Sequence, residues 1–323
     1  MTDDANPAPP HAPDTRGRLR RLLGAYHVTG VFWYRFHHWG MSILPEWGVH
    51  VAISVFTPFF FISLRRIRKA IASNLEPVLG PCGWWQRQGR IWWTMWTYAW
   101  CLSERYESLS GKGSAQISAD GEDRWHELMA SDRGLVFVTA HIGHWEIGSR
   151  LGLTRANRRV HVIREGEVDP KAQEFIRELL ARESEANFEM HFADESDPSL
   201  GAHLLGALRD GDVVALQGDR PRAGSRSWTG SLCGRPMELP VGPAAIARAA
   251  QVPLVPVFIF RDGRHRSRVF IRAPISVPST DDRTADIASA LQRVADEVEW
   301  AIRHEPHQWF CFRELWPEAD DLA

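Results

Sequence analysis

Residues 134–153 read GLVFVTAHIGHWEIGSRLGL, and no other stretch restricts the fold and the chemistry of this chain as much. An apolar β-type run from Leu135 to Thr139 turns sharply through His141, Ile142 and Gly143, then leaves as a helix beginning near Trp145. On one continuous helix the five-residue step from His141 to Glu146 rotates about 500° and puts the two on different faces. Across a strand-to-helix turn the same two side chains converge at the carboxyl edge of the strand, where open α/β sheets place their ligands. A histidine held by a carboxylate is a general base. With no serine beside it, the nucleophile is a hydroxyl brought in by the substrate. A His followed five residues later by Glu also arises by chance, so the weight rests on the flanks: a strand before, a glycine inside the turn and a helix after.

The 323 residues are enough for one large domain or two smaller ones, and 44% hydrophobic against 24% charged residues marks a globular chain. A net charge of −2 argues against nucleic acid as a partner. Fifteen Trp against four Tyr lean towards a water–lipid interface, although Trp-rich cores exist as well. Cys82, Cys101, Cys233 and Cys311 are scattered without a CxxC pair, which offers neither a disulfide framework nor a zinc site and fits a reducing compartment. Residues 1–15, rich in Pro, Asp and Ala, lack the apolar core of a signal peptide and are expected to be a disordered tail.

A membrane-associated helical region is expected over residues 16–110. RGRLRR at 16–21 precedes the aromatic segment GAYHVTGVFWYRFHHWG, which reads either as a membrane-surface anchor or as an amphipathic helix packed on the domain. The apolar run 49–64, VHVAISVFTPFFFISL, is shorter than the roughly twenty residues of a bilayer span and contains Pro58. It suits a re-entrant or monotopic hairpin; a tilted span and a buried helix stay open. Arg65, Arg66, Arg68 and Lys69 follow it and mark the cytoplasmic side. Trp92, Trp96 and Trp100 recur every four residues on one helix face, as a packing face or the wall of an acyl-chain groove, with packing favoured.

Residues 111–323 are expected to form an α/β domain entered through a polar linker, GKGSAQISADGED. Helices are predicted near 122–131, from 145, and over 170–182, 199–209, 243–250 and 284–304. Strands are predicted at 135–139, 159–164, 213–217, 254–260 and 268–275, an alternation that makes a sheet covered by helices. Pro256 inside the 254–260 run makes that strand an edge strand or a bulged one. Arg164 closes one strand, where it either stabilises an oxyanion or phosphate or pairs with Glu165 or Glu167. Asp219 and Arg220 follow another strand, and the Asp either pins a catalytic side chain or pairs with the Arg. Gly242 and Pro243 open a helix whose free N–H groups favour an anion. His141, His144 and Glu146 together make H-x-x-H-x-E, but zinc sites on helices more often use His at i and i+4, and no third ligand is near in sequence. There is no GxSxG, GxxxxGK[ST] or GxGxxG.

The run VFVTAHIGHWEIG resembles the His-x4-Glu/Asp motif of the lipid A biosynthesis (lauroyl/myristoyl) acyltransferase family, related to the glycerolipid acyltransferases. RRIRKAIASNL before the motif, and VIRE, LQGDRP, ELPVGPAAIARAAQVPLVPVF and PHQWFCFRELW after it, stand in the family's order, so the likeness covers roughly residues 60–317. The resemblance implies a glycerolipid-acyltransferase-like fold, a central mixed sheet flanked by helices. It implies His141 as general base, Glu146 as the residue that orients it, and Arg164 and Asp219 in support of the site or the donor. The alkoxide would attack an acyl thioester on acyl carrier protein or coenzyme A, a co-substrate, with no metal or redox cofactor. The implied setting is the cytoplasmic face of the inner membrane and the acceptor a glycolipid or lipid A-type precursor. Lysophospholipids and amino-acid lipids are alternative acceptors. His144, where many relatives have Asn, and the Arg- and Trp-rich first hundred residues depart from the pattern. A thioester or ester hydrolase and a catalytically silent membrane binder are the competing readings.

Overall fold

The strand at Leu135–Thr139 forms where its sequence predicts, and it is the middle of the sheet. The computed structural model describes residues 31–111, 116–145, 158–166, 169–183, 188–193, 199–222 and 224–316. The tail expected to be disordered, the RGRLRR segment, Glu146 and the helix expected from Trp145 onwards lie outside these residues, apart from Trp145 itself.

In chain order the strands are β1 (Gln116–Asp120), β2 (Leu135–Thr139), β3 (Val160–Glu165), β4 (Phe188–Ala193), β5 (Val213–Gln217), β6 (Ser227–Leu232), β7 (Arg235–Pro240), β8 (Leu254–Arg261) and β9 (Arg266–Ile271). Seven of them form a mixed sheet of order β1-β9-β8-β2-β5-β3-β4, in which only the β8–β9 pair is antiparallel. β6 and β7 make a separate antiparallel hairpin. The helices are α1 (Val31–Ile43), α2 (Glu46–Ser63), α3 (Arg65–Leu79), α4 (Trp84–Leu109), α5 (Glu122–Ala130), α6 (Pro170–Glu183), α7 (Leu200–Arg209), α8 (Gly242–Ala250) and α9 (Arg283–His304).

The unbroken apolar text of β2 has a direct cause, because the strand is buried on both faces. Val136 and Val138 enter a core with α3, α7, α8 and α9, while Leu135 and Phe137 face a second core that includes Met129 of α5. α9 starts where Asp282 Oδ1 accepts hydrogen bonds from the amides of Thr284 and Ala285. Its buried stripe runs through Ile287, Leu291, Val294 and Val298, the period of a helix with one face on the sheet.

One expectation changes on contact with the structure, and an open alternative is decided. The polar stretch read as a linker contributes β1, which pairs in parallel with β9. All five of its residues are exposed, so it carries no burial pattern to betray it. Pro256 does not lie on an edge strand, since β8 sits between β2 and β9. The ladder accommodates it by bulging: pairing with β9 starts at Val257–Ile271 and resumes as an isolated bridge from Leu254 to Ile275. Two residues of β8 thus face three of the returning chain, and no partner waits for the N–H that proline lacks.

The tryptophan stripe is a packing face. Trp92 meets Phe61 of α2 edge-on at 5.6 Å, and Trp100 meets His50 at 4.7 Å. α2 buries Val49, Ile53 and Thr57 but leaves Trp47, Val51, Val55, Phe59 and Ile62 in solvent. Its length and composition are sufficient to cross a membrane.

Candidate active site

The carboxyl ends of β2 and β5 are drawn together where the amide of Gly218 donates to Thr139 O at 2.8 Å. A Cβ on Gly218 would sit 2.5 Å from Val138 Cγ1, so only glycine lets the strands approach this closely. The chain then carries Asp219 to His141, and its Oδ1 accepts a hydrogen bond from His141 Nδ1 at 2.8 Å. Asp219 is fully buried; the imidazole keeps 15% of its surface exposed. Burial by itself would raise the Asp219 carboxyl, but the charge and hydrogen bonds of His141, with Arg220 beside it, outweigh burial and hold it at about 2. The carboxylate is therefore ionised at neutral pH. Its partner nitrogen carries the proton, which leaves Nε2 as the basic nitrogen. Among the described residues no side chain bonds to Nε2.

The turn that presents His141 is locked from two sides. Gly143 has φ +53°, and a Cβ there would meet Ile259 O at 2.4 Å, which accounts for the glycine inside the turn. The carboxyl-terminal segment runs alongside. Phe310 N donates to His141 O at 2.8 Å, Gly143 N donates to Gln308 O at 2.9 Å, and Ile142 bridges Trp309. Trp309 Nε1 reaches the second oxygen of Asp219 at 3.5 Å. That segment is held in turn by Asn74 of α3. Asn74 Nδ2 donates to the carbonyls of Cys311 and Arg313, and its Oδ1 accepts from Leu315 N.

His144 points elsewhere. It is buried, with Nδ1 bonded to Ser267 Oγ at 2.8 Å and Nε2 2.8 Å from Glu104 Oε2. Burial would raise Glu104, yet His144 and Arg261 keep it at about 2. Arg261 grips both oxygens of Glu104 at 3.1 Å, and Arg264 grips both oxygens of Glu107. The two guanidinium groups also lie 5.2 Å from the Trp100 ring. This buried ionic cluster fastens α4 to the β8–β9 hairpin beside the His141 turn. A shallow recess there is lined by Tyr98, Cys101, Leu102, Trp145 and Phe310.

Of the residues singled out in the sequence, the structure joins His141 to Asp219 and sets Arg220 next to them, its Nη1 donating to Cys311 Sγ at 3.6 Å. Of the two roles open to Asp219, pinning the histidine is the one observed. Glu146, expected to orient His141, lies outside the described residues, and the carboxylate on Nδ1 is Asp219. Arg164 lies in β3 on the same sheet edge, level with Thr139 in register and two strands away, about 10 Å by strand spacing. Gly242 is exposed at the start of α8 and has no described contact with His141. Trp309, Asn74 and Glu104 had no assigned role. The first two fall inside the ordered segments PHQWFCFRELW and RRIRKAIASNL, the only sequence signal that reached them.

Comparison with known proteins gives three findings. The family model described as bacterial lipid A biosynthesis acyltransferase matches residues 21–318. Phosphatidylinositol mannoside acyltransferase of Mycobacterium tuberculosis, found in two strains, is 26% identical over 201 residues, 61% of this chain and 58% of its own length. The crystal structure of the 1-acyl-sn-glycerophosphate acyltransferase PlsC from Thermotoga maritima is 15% identical, with a TM-score of 0.35, over 77% of this chain and 95% of that one.

Proposed function

This chain belongs to the bacterial lipid A biosynthesis acyltransferase family, and from that membership we propose an O-acyltransferase that moves a fatty acyl chain from an acyl thioester to a lipid hydroxyl. The observation that carries the reading is the His141–Asp219 pair, with its basic nitrogen at the carboxyl edge of the central strand. His141 Nε2 takes the proton of the acceptor hydroxyl as that oxygen attacks the thioester carbonyl carbon. Asp219 holds the ring and stabilises the imidazolium that forms. The new C–O bond replaces the C–S bond, and the departing thiolate receives the proton from His141. We assign Arg164, Arg220 and the N–H groups at Gly242 to donor or acceptor binding, and Glu146 to the support of His141.

The donor is acyl carrier protein or coenzyme A carrying the acyl chain, and the acceptor a glycolipid; the mannoside relative and the lipid A family both favour a sugar-bearing lipid. The site of action is the cytoplasmic face of the inner membrane. Support comes from α2, whose outward face presents Val51, Val55, Phe59 and Ile62 at helical spacing while Arg65 and Arg66 follow directly. An apolar face of that kind, flanked by cations, matches a lipid surface.

Product analysis tests the assignment. Purified protein receives labelled acyl-coenzyme A with and without a glycolipid acceptor. The expected outcome is a labelled lipid that forms only with acceptor. Free fatty acid released at the same rate in both tubes would overturn acyl transfer in favour of hydrolysis.

A further inference from the structure

Away from the His141 turn, three histidines and a glutamate converge at the far edge of the sheet. His161 of β3 is in register with Glu189 of β4, His191 follows two residues later on the same face, and His203 of α7 covers them. One donor atom from each lies within 4.8 Å of all the others. His161 Nδ1 is 3.0 Å from His191 Nε2 and 3.5 Å from Glu189 Oε2. Glu189 Oε1 is 3.7 Å from His191 Nε2 and 4.0 Å from His203 Nε2. Ligands on a tetrahedral ion with bonds of about 2.0–2.1 Å stand about 3.3 Å apart, so side-chain rotations that close the widest pair by up to about 1.5 Å complete the geometry.

A further contact prepares the site. His161 is completely buried, and its other nitrogen, Nε2, lies 3.3 Å from Asp212 Oδ2. Asp212 is itself fixed by the amide of Arg159 at 3.0 Å and by the Arg159 side chain. A carboxyl oxygen accepting from Nε2 places the ring proton there and turns the Nδ1 lone pair to the cluster, as second-shell carboxylates do for metal-binding histidines. His203 is half exposed, so an ion has an entry path from solvent.

We propose that His161, Glu189, His191 and His203 form a binding site for a first-row divalent cation of the zinc type. Imidazole nitrogens with one carboxylate suit zinc and its neighbours rather than magnesium or calcium, which prefer oxygen donors. Four protein donors leave no open position, so the ion is structural and ties the edge strand β4 and helix α7 to β3. It stands apart from catalysis: His161 is level with Val136 through Val214, and the end of β2 lies about 10 Å farther along the strand, with His141 beyond it.

Untagged full-length protein in detergent, stripped with a chelator, is titrated with zinc sulfate by calorimetry, and bound zinc is counted by elemental analysis. One zinc per chain is expected. His203→Ala, at a half-exposed position that keeps the fold, and Glu189→Gln should each weaken binding at least about tenfold. Zinc at a hundredfold excess over its Kd should raise Tm by about 4 °C, reversed by the chelator. No stoichiometric binding by the wild type, or equal binding by the wild type and the His191→Ala/His203→Ala double variant, would overturn the site.

Discussion

His141 has one nitrogen held by a buried carboxylate and one left for chemistry, and this asymmetry sets the expectations at the scale of single residues. His141→Ala should lower the rate of acyl transfer by about 10²–10⁴-fold, the usual contribution of a general base. Asp219→Asn should fall in the same range with little change in KM, because it disturbs the tautomer and the imidazolium rather than binding. Since Asp219 occupies Nδ1, Asp219→Asn should cost more turnover than Glu146→Ala; steady-state rates of the two purified variants check the order. Of this site the histidine, the glycine and the aspartate were legible in the sequence, each at the end of an apolar strand. The pairing was legible only as one of two roles open to Asp219. His141 and Asp219 are 78 residues apart, and only the parallel contact of β2 with β5 makes them neighbours.

At the scale of elements, the His141 turn is positioned by pieces remote in the chain. Asn74 spans 237 to 241 residues to hold the segment carrying Trp309, and no periodicity or turn rule announces such a clamp. Asn74→Leu leaves two carbonyls and one amide without partners and should destabilise the fold by on the order of 3 kcal/mol, measured by denaturant titration. Activity should fall with it, since Phe310 and Gln308 then lose their hold on the turn. The elements that were legible are those with a strong burial period, β2 and α9 among them. β1 was read as a linker because it is exposed and polar. β4 was not foreseen at all, for Glu189 and His191 interrupt its apolar text at the face where they meet His161 and His203. On α2, replacing Val55 and Phe59 together by Glu should weaken binding to anionic vesicles by at least about tenfold, read by co-sedimentation, because both side chains stand on the outward face.

For the molecule as a whole, two buried carboxylates couple the fold to pH. Asp219 falls from an ordinary 3.8 to about 2, and Glu104 from 4.5 to about 2. A carboxyl depressed on folding stabilises the native state above its unfolded pKa, and that stability is lost as pH drops through the folded value. The loss should therefore be concentrated between about pH 4.5 and 2, at about 2–3 kcal/mol for each group. Glu104→Gln should flatten the acid limb of a stability–pH curve while lowering the plateau at neutral pH, because Arg261 is left buried with less compensation. The same cluster joins the amino-terminal helices to the sheet, so the apolar face of α2 and the His141 edge belong to one folded body. An outward apolar helix face and a carboxylate-held histidine in that arrangement fit the proposed acylation of a membrane lipid. The most direct test is lipid mass spectrometry on cells that express the wild type or His141→Ala at equal levels. A lipid heavier by one acyl chain, present with the wild type and missing with the variant, is the predicted result; identical lipid profiles from the two would contradict it.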